Sequence, residues 1–467
     1  MSRVFSRYVA LISLAIMAGC QGASTEARPR YVFLFIGDGM GPVQRQVGDI
    51  AARKSTGAGL KMEQMPIRGQ IHTRSADSAV TDSAAAGTAL AAGVKTNNGM
   101  LGVAPDGKDV ESICTALARD GMKIGLISSV QLNHATPAAF YCHAGKRGSY
   151  DDIAAQVAGC GADLLIGNGL LSDSSKQNQF ITDWKAAGMT VVTSLDQAAA
   201  ADPSARMVGV LNFPDAGKEK LDAQAGLGQL ASAVKLAIDR LDNPRGFFLM
   251  VEGGKIDFGG HANSAAMAID ETLAMDRAIE VALEFYRQRP DDTLIIVTAD
   301  HETGGMRLDQ SRLDLDRLMQ LPAMQSALSA AIGDIESATP TSVQKAISDS
   351  LGLGSLSDEE LAPVERAMKS DMKKRKANVV LAAMNIAQAR AGIKWTTTGH
   401  TGVDVPVTAI GAGSAAFAGT YDNTQIPARL RKLCAGAQRA PARTPATAPS
   451  TAPGTASASR ELAASGR

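Results

Sequence analysis

Short apolar, mostly β-branched runs alternate along the chain with longer stretches whose apolar positions recur every three or four residues. The runs at 31–36, 124–129, 164–166, 190–192, 247–251, 294–298 and 405–410 carry little or no polar face. Each therefore predicts a strand buried on both sides. Helical stretches lie between them at 110–119, 227–241 and 265–286. In the last, Ile269, Leu273, Asp276, Ile279, Leu283 and Tyr286 fall at helical spacing, and five of those six are apolar or aromatic. Strand and helix in alternation predict an α/β fold with a mostly parallel central sheet and helices on both faces. Ligands of such sheets gather beyond the carboxyl ends of the strands, so polar residues directly after a strand carry the interest.

Three stretches break the alternation. Residues 308–394 contain no convincing strand and are rich in Leu, Ala, Lys and Glu, which predicts a helical insertion bounded at 307–395, a lid or a surface cap. Residues 437–467 are rich in Ala, Pro, Ser and Thr and nearly lack large apolar side chains, so they cannot bury a core and are expected to be disordered. At the start, Arg3 and Arg7 precede an apolar stretch at 9–18, closed by Met17-Ala18-Gly19-Cys20. That order is a signal peptide over 1–19, too short to span a bilayer comfortably. The small pair before Cys20 resembles a bacterial lipobox, which implies cleavage there and lipid on the sulfur. Gln21 then implies an anchor on the periplasmic side of the outer membrane, with 20–29 as linker and 30–436 as the folded domain. An ordinary secretory signal with an incidental cysteine is the plainer alternative.

Composition narrows the partners. The 467 residues suffice for one large α/β domain or two ordinary ones, and 45% hydrophobic with 20% charged content fits a globular protein. Lys plus Arg equals Asp plus Glu at 47 each, so nothing in the charge argues for nucleic acid or another polyanion. Beyond Cys20 the cysteines are Cys114, Cys142, Cys160 and Cys434, which allow three pairings that the sequence leaves open. None has a spacing suited to thiolate metal binding.

Carboxylates and imidazoles stand where the predicted strands end. Asp38 follows the first run and Glu252 follows the run at 247–251, with Asp257 five residues further and His261 four beyond that. Asp300-His301 closes the run at 294–298, and His400 lies in Thr397-Thr398-Gly399-His400-Thr401-Gly402. This mix of oxygen and nitrogen donors suits zinc, and an oxygen-only subset suits magnesium. Taken singly, each acid is more commonly a cap or turn former and each histidine a packed core residue. The chain has only six histidines, however; three lie in these motifs, and His134 and His143 flank another. The clustering decides for a site.

In the run Val80-Thr81-Asp82-Ser83-Ala84-Ala85-Ala86-Gly87, a serine directly follows an acid at the start of a small-residue helix. A helix N-terminus, with free N–H groups and a positive dipole end, suits an anion. The plainer reading is an Asp N-cap on an Ala-rich core helix. A further stretch, Gln131-Leu132-Asn133-His134-Ala135-Thr136-Pro137, leads to Cys142-His143 and Arg147.

In content and order, several motifs resemble those of the alkaline phosphatase family. They are Asp38-Gly39-Met40, Thr81-Asp82-Ser83, Ala135-Thr136-Pro137, Val251-Glu252-Gly253 with Asp257 and His261, Thr298-Ala299-Asp300-His301, and Gly399-His400-Thr401-Gly402. The likeness spans Asp38 to Gly411 in separate motifs and leaves the helical insertion and both tails outside it. It implies hydrolysis of small-molecule phosphate monoesters, with Ser83 as nucleophile and a phosphoserine intermediate. It implies that Arg147 holds two phosphate oxygens with its planar fork, oriented by Asp82, which is free to cap the helix as well. Asp257, His261 and His400 would hold one Zn2+, and Asp38, Asp300 and His301 a second. Asp38, Thr136 and Glu252 would hold a third ion, typically Mg2+, with Asp38 bridging. Metals spaced about 4 Å apart clamp the attacking and leaving oxygens of an in-line transfer. His143 is expected to pack beside the site.

Two positions depart from the family pattern. His134 stands where some members have aspartate, which leaves the identity of the third ion open. Phe258 stands where some members have a basic or polar residue near the phosphate. The rival functions are a phosphodiesterase or sulfatase-like hydrolase of the same superfamily and a non-catalytic, lipid-anchored zinc- or phosphate-binding protein. Asp82-Ser83 and Arg147 argue against the first and Ser83 against the second; turnover of a generic aryl phosphate separates them.

Overall fold

Ten strands form one sheet in the computed structural model, which describes residues 28–218 and 228–435. The expected signal peptide, Cys20 and the tail at 437–467 lie outside the described residues. In chain order the strands are β1 (Tyr31–Gly37), β2 (Ile67–His72), β3 (Lys123–Ser128), β4 (Leu164–Gly167), β5 (Thr190–Val192), β6 (Met207–Val210), β7 (Phe247–Gly253) and β8 (Thr293–Ala299), then the two-residue β9 (Glu302–Thr303), β10 (Arg307–Leu308), β11 (Ile393–Lys394) and β12 (His400–Thr401), and finally β13 (Val405–Gly411) and β14 (Gly419–Asp422). The sheet order is β14-β2-β13-β8-β1-β7-β3-β4-β6-β5. Only β13 runs antiparallel to its neighbours, β8 and β2.

The central strands are apolar along their length because helices cover both faces. β1, β7 and β8 are buried at every position. Phe33, Phe35, Phe247 and Phe248 are fully buried, each contributing on the order of 2–3 kcal/mol of apolar burial. The helix Ala265–Gln288, capped by Ser264, packs against β1, β7 and β8. Its one acid on the apolar stripe, Asp276, is buried but partnered: it accepts the main-chain N–H groups of Lys61 at 2.8 Å and Met62 at 3.0 Å.

Register carries the fold to the site. Tyr31 pairs with both Phe247 and Thr293, and Gly37 with both Gly253 and Ala299, so β1, β7 and β8 end level. Ile36 lies opposite Glu252, and Ser128 of β3 lies opposite Glu252 on its other side. Asp38, Glu252 and Asp300 therefore emerge at one rim.

Three strands escape the hydrophobic pattern. β2 reads Ile-Arg-Gly-Gln-Ile-His and buries only Ile71, and β14 buries only Tyr421, so both look like polar loops. β6 is buried over three of its four residues but is too short to stand out.

The segment between β10 and β11 contains the helices Leu315–Ile332, Pro340–Leu351, Asp358–Met368 and Met372–Arg390. They enclose a second core around Leu318, Ile347, Leu351 and Val379, which reaches Val47, Ala265 and Ile269 of the main body. A short antiparallel pair, Leu308 opposite Ile393, closes its neck. That ladder is too brief for any alternation to reveal it. No disulfide joins Cys114, Cys142 and Cys160 to one another. Among the described residues no helix is long and apolar enough to cross a membrane.

Candidate active site

Asp38 leaves β1 through a tight turn. Gly39 has φ of 71°, and a Cβ there would stand 2.8 Å from Asp257 Cα. Only glycine serves both demands. Its N–H donates to Asp300 Oδ1 at 3.0 Å, which ties the ends of β1 and β8 together. Asp38, Glu252, Asp300 and His301 are fully buried.

Ser83 opens the helix Ser83–Ala92, and every residue of that helix is buried. Small side chains permit this: a Cβ at Gly87 would stand 3.1 Å from Ala139 Cβ. Asp82 carries both anticipated tasks at once. Its Oδ1 accepts from Ala85 N at 3.0 Å and caps the helix, while its Oδ2 accepts from Gly99 N at 3.0 Å and from Arg147 Nη1 at 3.1 Å. The Arg147 fork is thus held by one corner. Ser83 Oγ lies 3.2 Å from His301 Nε2.

The imidazoles are oriented by groups distant in sequence. His261 Nδ1 faces Thr398 O at 2.6 Å, and His400 Nδ1 faces Thr81 O at 2.9 Å. A carbonyl only accepts, so each Nδ1 carries a proton and each ring turns its Nε2 into the site. Those two Nε2 atoms stand 3.2 Å apart, with Asp257 Oδ2 3.3 Å from His261 and Asp257 Oδ1 3.7 Å from His400. His301 Nδ1 meets Thr303 Oγ1 at 3.2 Å, whose hydroxyl donates to Asp257 Oδ1 at 2.5 Å. The bare His301 Nε2 then faces Asp300 Oδ2 at 3.2 Å and Asp38 Oδ1 at 3.5 Å.

Such an arrangement repels itself unless positive charge enters. Burial, then the carboxylates of Asp300, Asp257 and Glu252, push the Asp38 carboxyl well above the usual range. Burial likewise raises Glu252 and Asp300. Burial would raise Asp257 too, but hydrogen bonds from His261 and Thr303 hold it low. Burial and the Arg147 charge lower His134 to about 4, so that ring is neutral and free to donate a lone pair. Both Asp38 oxygens, Glu252 Oε1, Asp300 Oδ2, Thr136 Oγ1 and His134 Nδ1 are buried without a hydrogen-bond partner. Orphaned donors of this kind, on facing carboxylates and imidazoles, fit divalent cations. In three groupings among the described residues, one ligand atom from each residue lies within 4.8 Å of the others: Asp38 with Asp300 and His301, Asp38 with His134 and Glu252, and Asp257 with His301 and His400.

All ten residues singled out in the sequence therefore meet in one locality. His143 bonds Gly102 O at 2.6 Å and His72 bonds Asp404 at 2.8 Å; neither joins a ligand grouping. Sequence reasoning left His134 out of the ligand set, although its place two residues before Thr136 was the available signal. It also missed Thr303, and it missed Glu302, whose carboxylate accepts from Gln44 at 2.7 Å and from Thr401 Oγ1 and so ties β9 to β12, the strand of His400. No periodicity marks either one. A buried serine oxygen, an anchored guanidinium and a cation-binding cluster suit attack on an anionic tetrahedral centre.

The sequence matches the family model described as alkaline phosphatase over residues 29–166 and 168–435. Alkaline phosphatase 4 of Bacillus subtilis (strain 168) is 33% identical over 447 residues, covering 89% of this chain and 93% of the relative. The alkaline phosphatase of Schizosaccharomyces pombe is 27% identical over 446 residues, covering 86% and 80%. Among solved structures, the cold-active alkaline phosphatase of a psychrophilic Shewanella superposes with a TM-score of 0.71 at 30% identity, covering 87% of this chain and all of the other. A histidine-to-glutamate variant of the TAB5 alkaline phosphatase, with Mg bound in its M3 site, gives a TM-score of 0.63 at 28% identity, covering 87% and 98%.

Proposed function

Because this chain belongs to the alkaline phosphatase family and is a phosphomonoester hydrolase, we propose that it turns over through a phosphoserine at Ser83, in a site that holds two zinc ions and a third ion. The placement of Ser83 Oγ 3.2 Å from His301 Nε2, at a helix start beside Arg147, carries this reading. Asp257, His261 and His400 hold one zinc, and Asp38, Asp300 and His301 the other. Asp38, Thr136 and Glu252, with His134 beside them, hold the third ion. When bound, these ions supply Lewis acidity that activates the hydroxyl groups and offsets charge on the phosphoryl oxygens.

The chain's own groups do the rest. Asp82 fixes one corner of the Arg147 guanidinium and leaves its remaining donors to grip the phosphate. The positive end of the Ser83–Ala92 helix adds to that field. Ser83 Oγ bonds to phosphorus as the P–O bond to the alcohol breaks; water then cleaves the serine ester, and inorganic phosphate leaves. Acid quenching during turnover of a phosphorus-labelled monoester tests the intermediate. Label recovered on a peptide containing Ser83 supports it, and label absent there, with turnover proceeding, removes it.

For location we propose the periplasmic face of the outer membrane, on the strength of the Arg3-to-Cys20 pattern. Cys20→Ser should release the protein from membranes; unchanged membrane association would defeat this.

A further inference from the structure

Among the described residues five large apolar side chains are exposed, and three of them border the active site. Met319 and Met372 belong to the helical segment between β10 and β11. The others are Val80, three residues before Ser83, Phe258, directly after Asp257, and Val403, three residues after His400. They are exposed by 37%, 38% and 45% in that order. Exposed apolar side chains that each stand within three residues of a site residue suit contact with something apolar.

These side chains sit on anchored backbone. Val80 O accepts from Asn98 Nδ2 at 3.0 Å, and Oδ1 of the same amide accepts from Asp82 N at 3.1 Å, so Val80 is held in fixed relation to the residue that orients Arg147. The loop of Val403 abuts it: a Cβ at Gly402 would stand 3.1 Å from Ala79 O and 3.9 Å from Val80 Cγ2. Phe258 meets the His134 ring edge-to-face, with centroids 6.2 Å apart and planes at 85°. Two acids close in sequence to these side chains are engaged. Asp404, beside Val403, bonds His72 at 2.8 Å, and Asp82 bonds Arg147.

We propose that Val80, Phe258 and Val403 form a rim that receives the ester group of the substrate and selects phosphate monoesters of apolar alcohols and phenols over those of polyhydroxy alcohols. This rests on the phosphomonoesterase reading above and takes the same site one step further. Ser83 and Arg147 hold the phosphoryl end deep in the site, so the ester group projects outward past these side chains. Contact with them removes apolar area from water, and an aryl group also meets the Phe258 ring. A phenyl ring offers nothing to phosphate oxygens, so position 258 acts on the group that leaves.

The test compares kcat/KM of wild type and variants on 2-naphthyl phosphate, phenyl phosphate and glycerol phosphate. Each ester is compared only with itself across proteins, so its intrinsic reactivity cancels. Phe258→Ser should lower kcat/KM on the naphthyl ester by about 5- to 20-fold and on glycerol phosphate by less than about twofold. Val80→Ser and Val403→Ser should do the same more weakly, and Phe258→Leu should keep most of the preference. Competitive inhibition by inorganic phosphate should not move, whereas a merely disturbed site would shift it. Equal losses on all three esters, or no loss on the naphthyl ester, would overturn the proposal and leave the hydrolase reading standing. A wild type inactive on all three would bring down both.

Discussion

His261 and His400 turn their Nε2 atoms toward each other across 3.2 Å, while the Nδ1 of each ring faces a main-chain carbonyl. Two ring nitrogens so placed, with the Asp257 carboxylate 3.3 Å from one and 3.7 Å from the other, suit a shared metal ion. A chelator should therefore abolish activity, and zinc should restore it. His400→Gln should lower kcat/KM by about 100-fold or more, because a metal contribution of several kcal/mol is at stake. His72→Gln, outside every ligand grouping, should stay within about twofold. Metal analysis alongside the rate decides; full activity in protein shown to be metal-free would refute the assignment.

Asp82 serves the helix with one oxygen and Arg147 with the other, and substitution can separate the two. Asp82→Ala loses both, so it should cost about 1 kcal/mol of stability and also slow turnover. Asp82→Ser keeps a capping oxygen and should recover most of the stability but not the rate. Arg147→Ser should slow monoester hydrolysis by about 30- to 1000-fold, the loss of one charge-assisted transition-state contact, and affect aryl diesters little. Thermal melts and kcat/KM on matched mono- and diesters check both claims. A rate that follows stability across the two Asp82 variants would sink the anchoring role.

His134 brings a neutral nitrogen donor beside Asp38 and Glu252. Nitrogen favours a softer ion, whereas magnesium prefers oxygen. His134→Asp should accordingly bind magnesium more tightly and make activity more dependent on added magnesium. Titration of both proteins with Mg2+, read by activity and by bound metal, tests this; identical curves would exclude a ligand role for His134.

Asp276 offers a prediction about pH and stability. Burial raises its carboxyl to about 6, against about 3.9 in an unfolded chain. The folded protein holds this proton more tightly, so the contribution is fully present below about pH 4 and declines as pH rises to about 6. Two units correspond to about 2–3 kcal/mol. Asp276→Asn does not titrate, so its stability relative to wild type should improve by about that amount across the window. Denaturant melts of both proteins at the two ends suffice, and a difference independent of pH would contradict the shift.

Asp38, Glu252 and Asp300 were legible because each directly follows an apolar run, and a parallel strand end is where an α/β sheet meets its ligand. Ser83 was legible from the acid before it and the small residues after it. The helical nature of the segment between β10 and β11 followed from its composition. β2 and β14 were not legible, since strands with a single buried residue look like loops. Thr303 and Glu302 were not either, because their work is done through hydrogen bonds that no local pattern encodes.

From its own order the sequence determined the α/β alternation, the strand ends and the donor types at the site. Which donors face one another, and which nitrogen of His261 and His400 turns toward them, only the tertiary structure decided. The carbonyls that orient His261 and His400 come from residues 137 and 319 positions away in the chain. The ladder register that levels Asp38 with Glu252 and Asp300 joins strands more than 200 residues apart. Local propensity reaches only a few residues along the chain. Geometry of this range exists only once the apolar strands have packed and their pairing has locked the register.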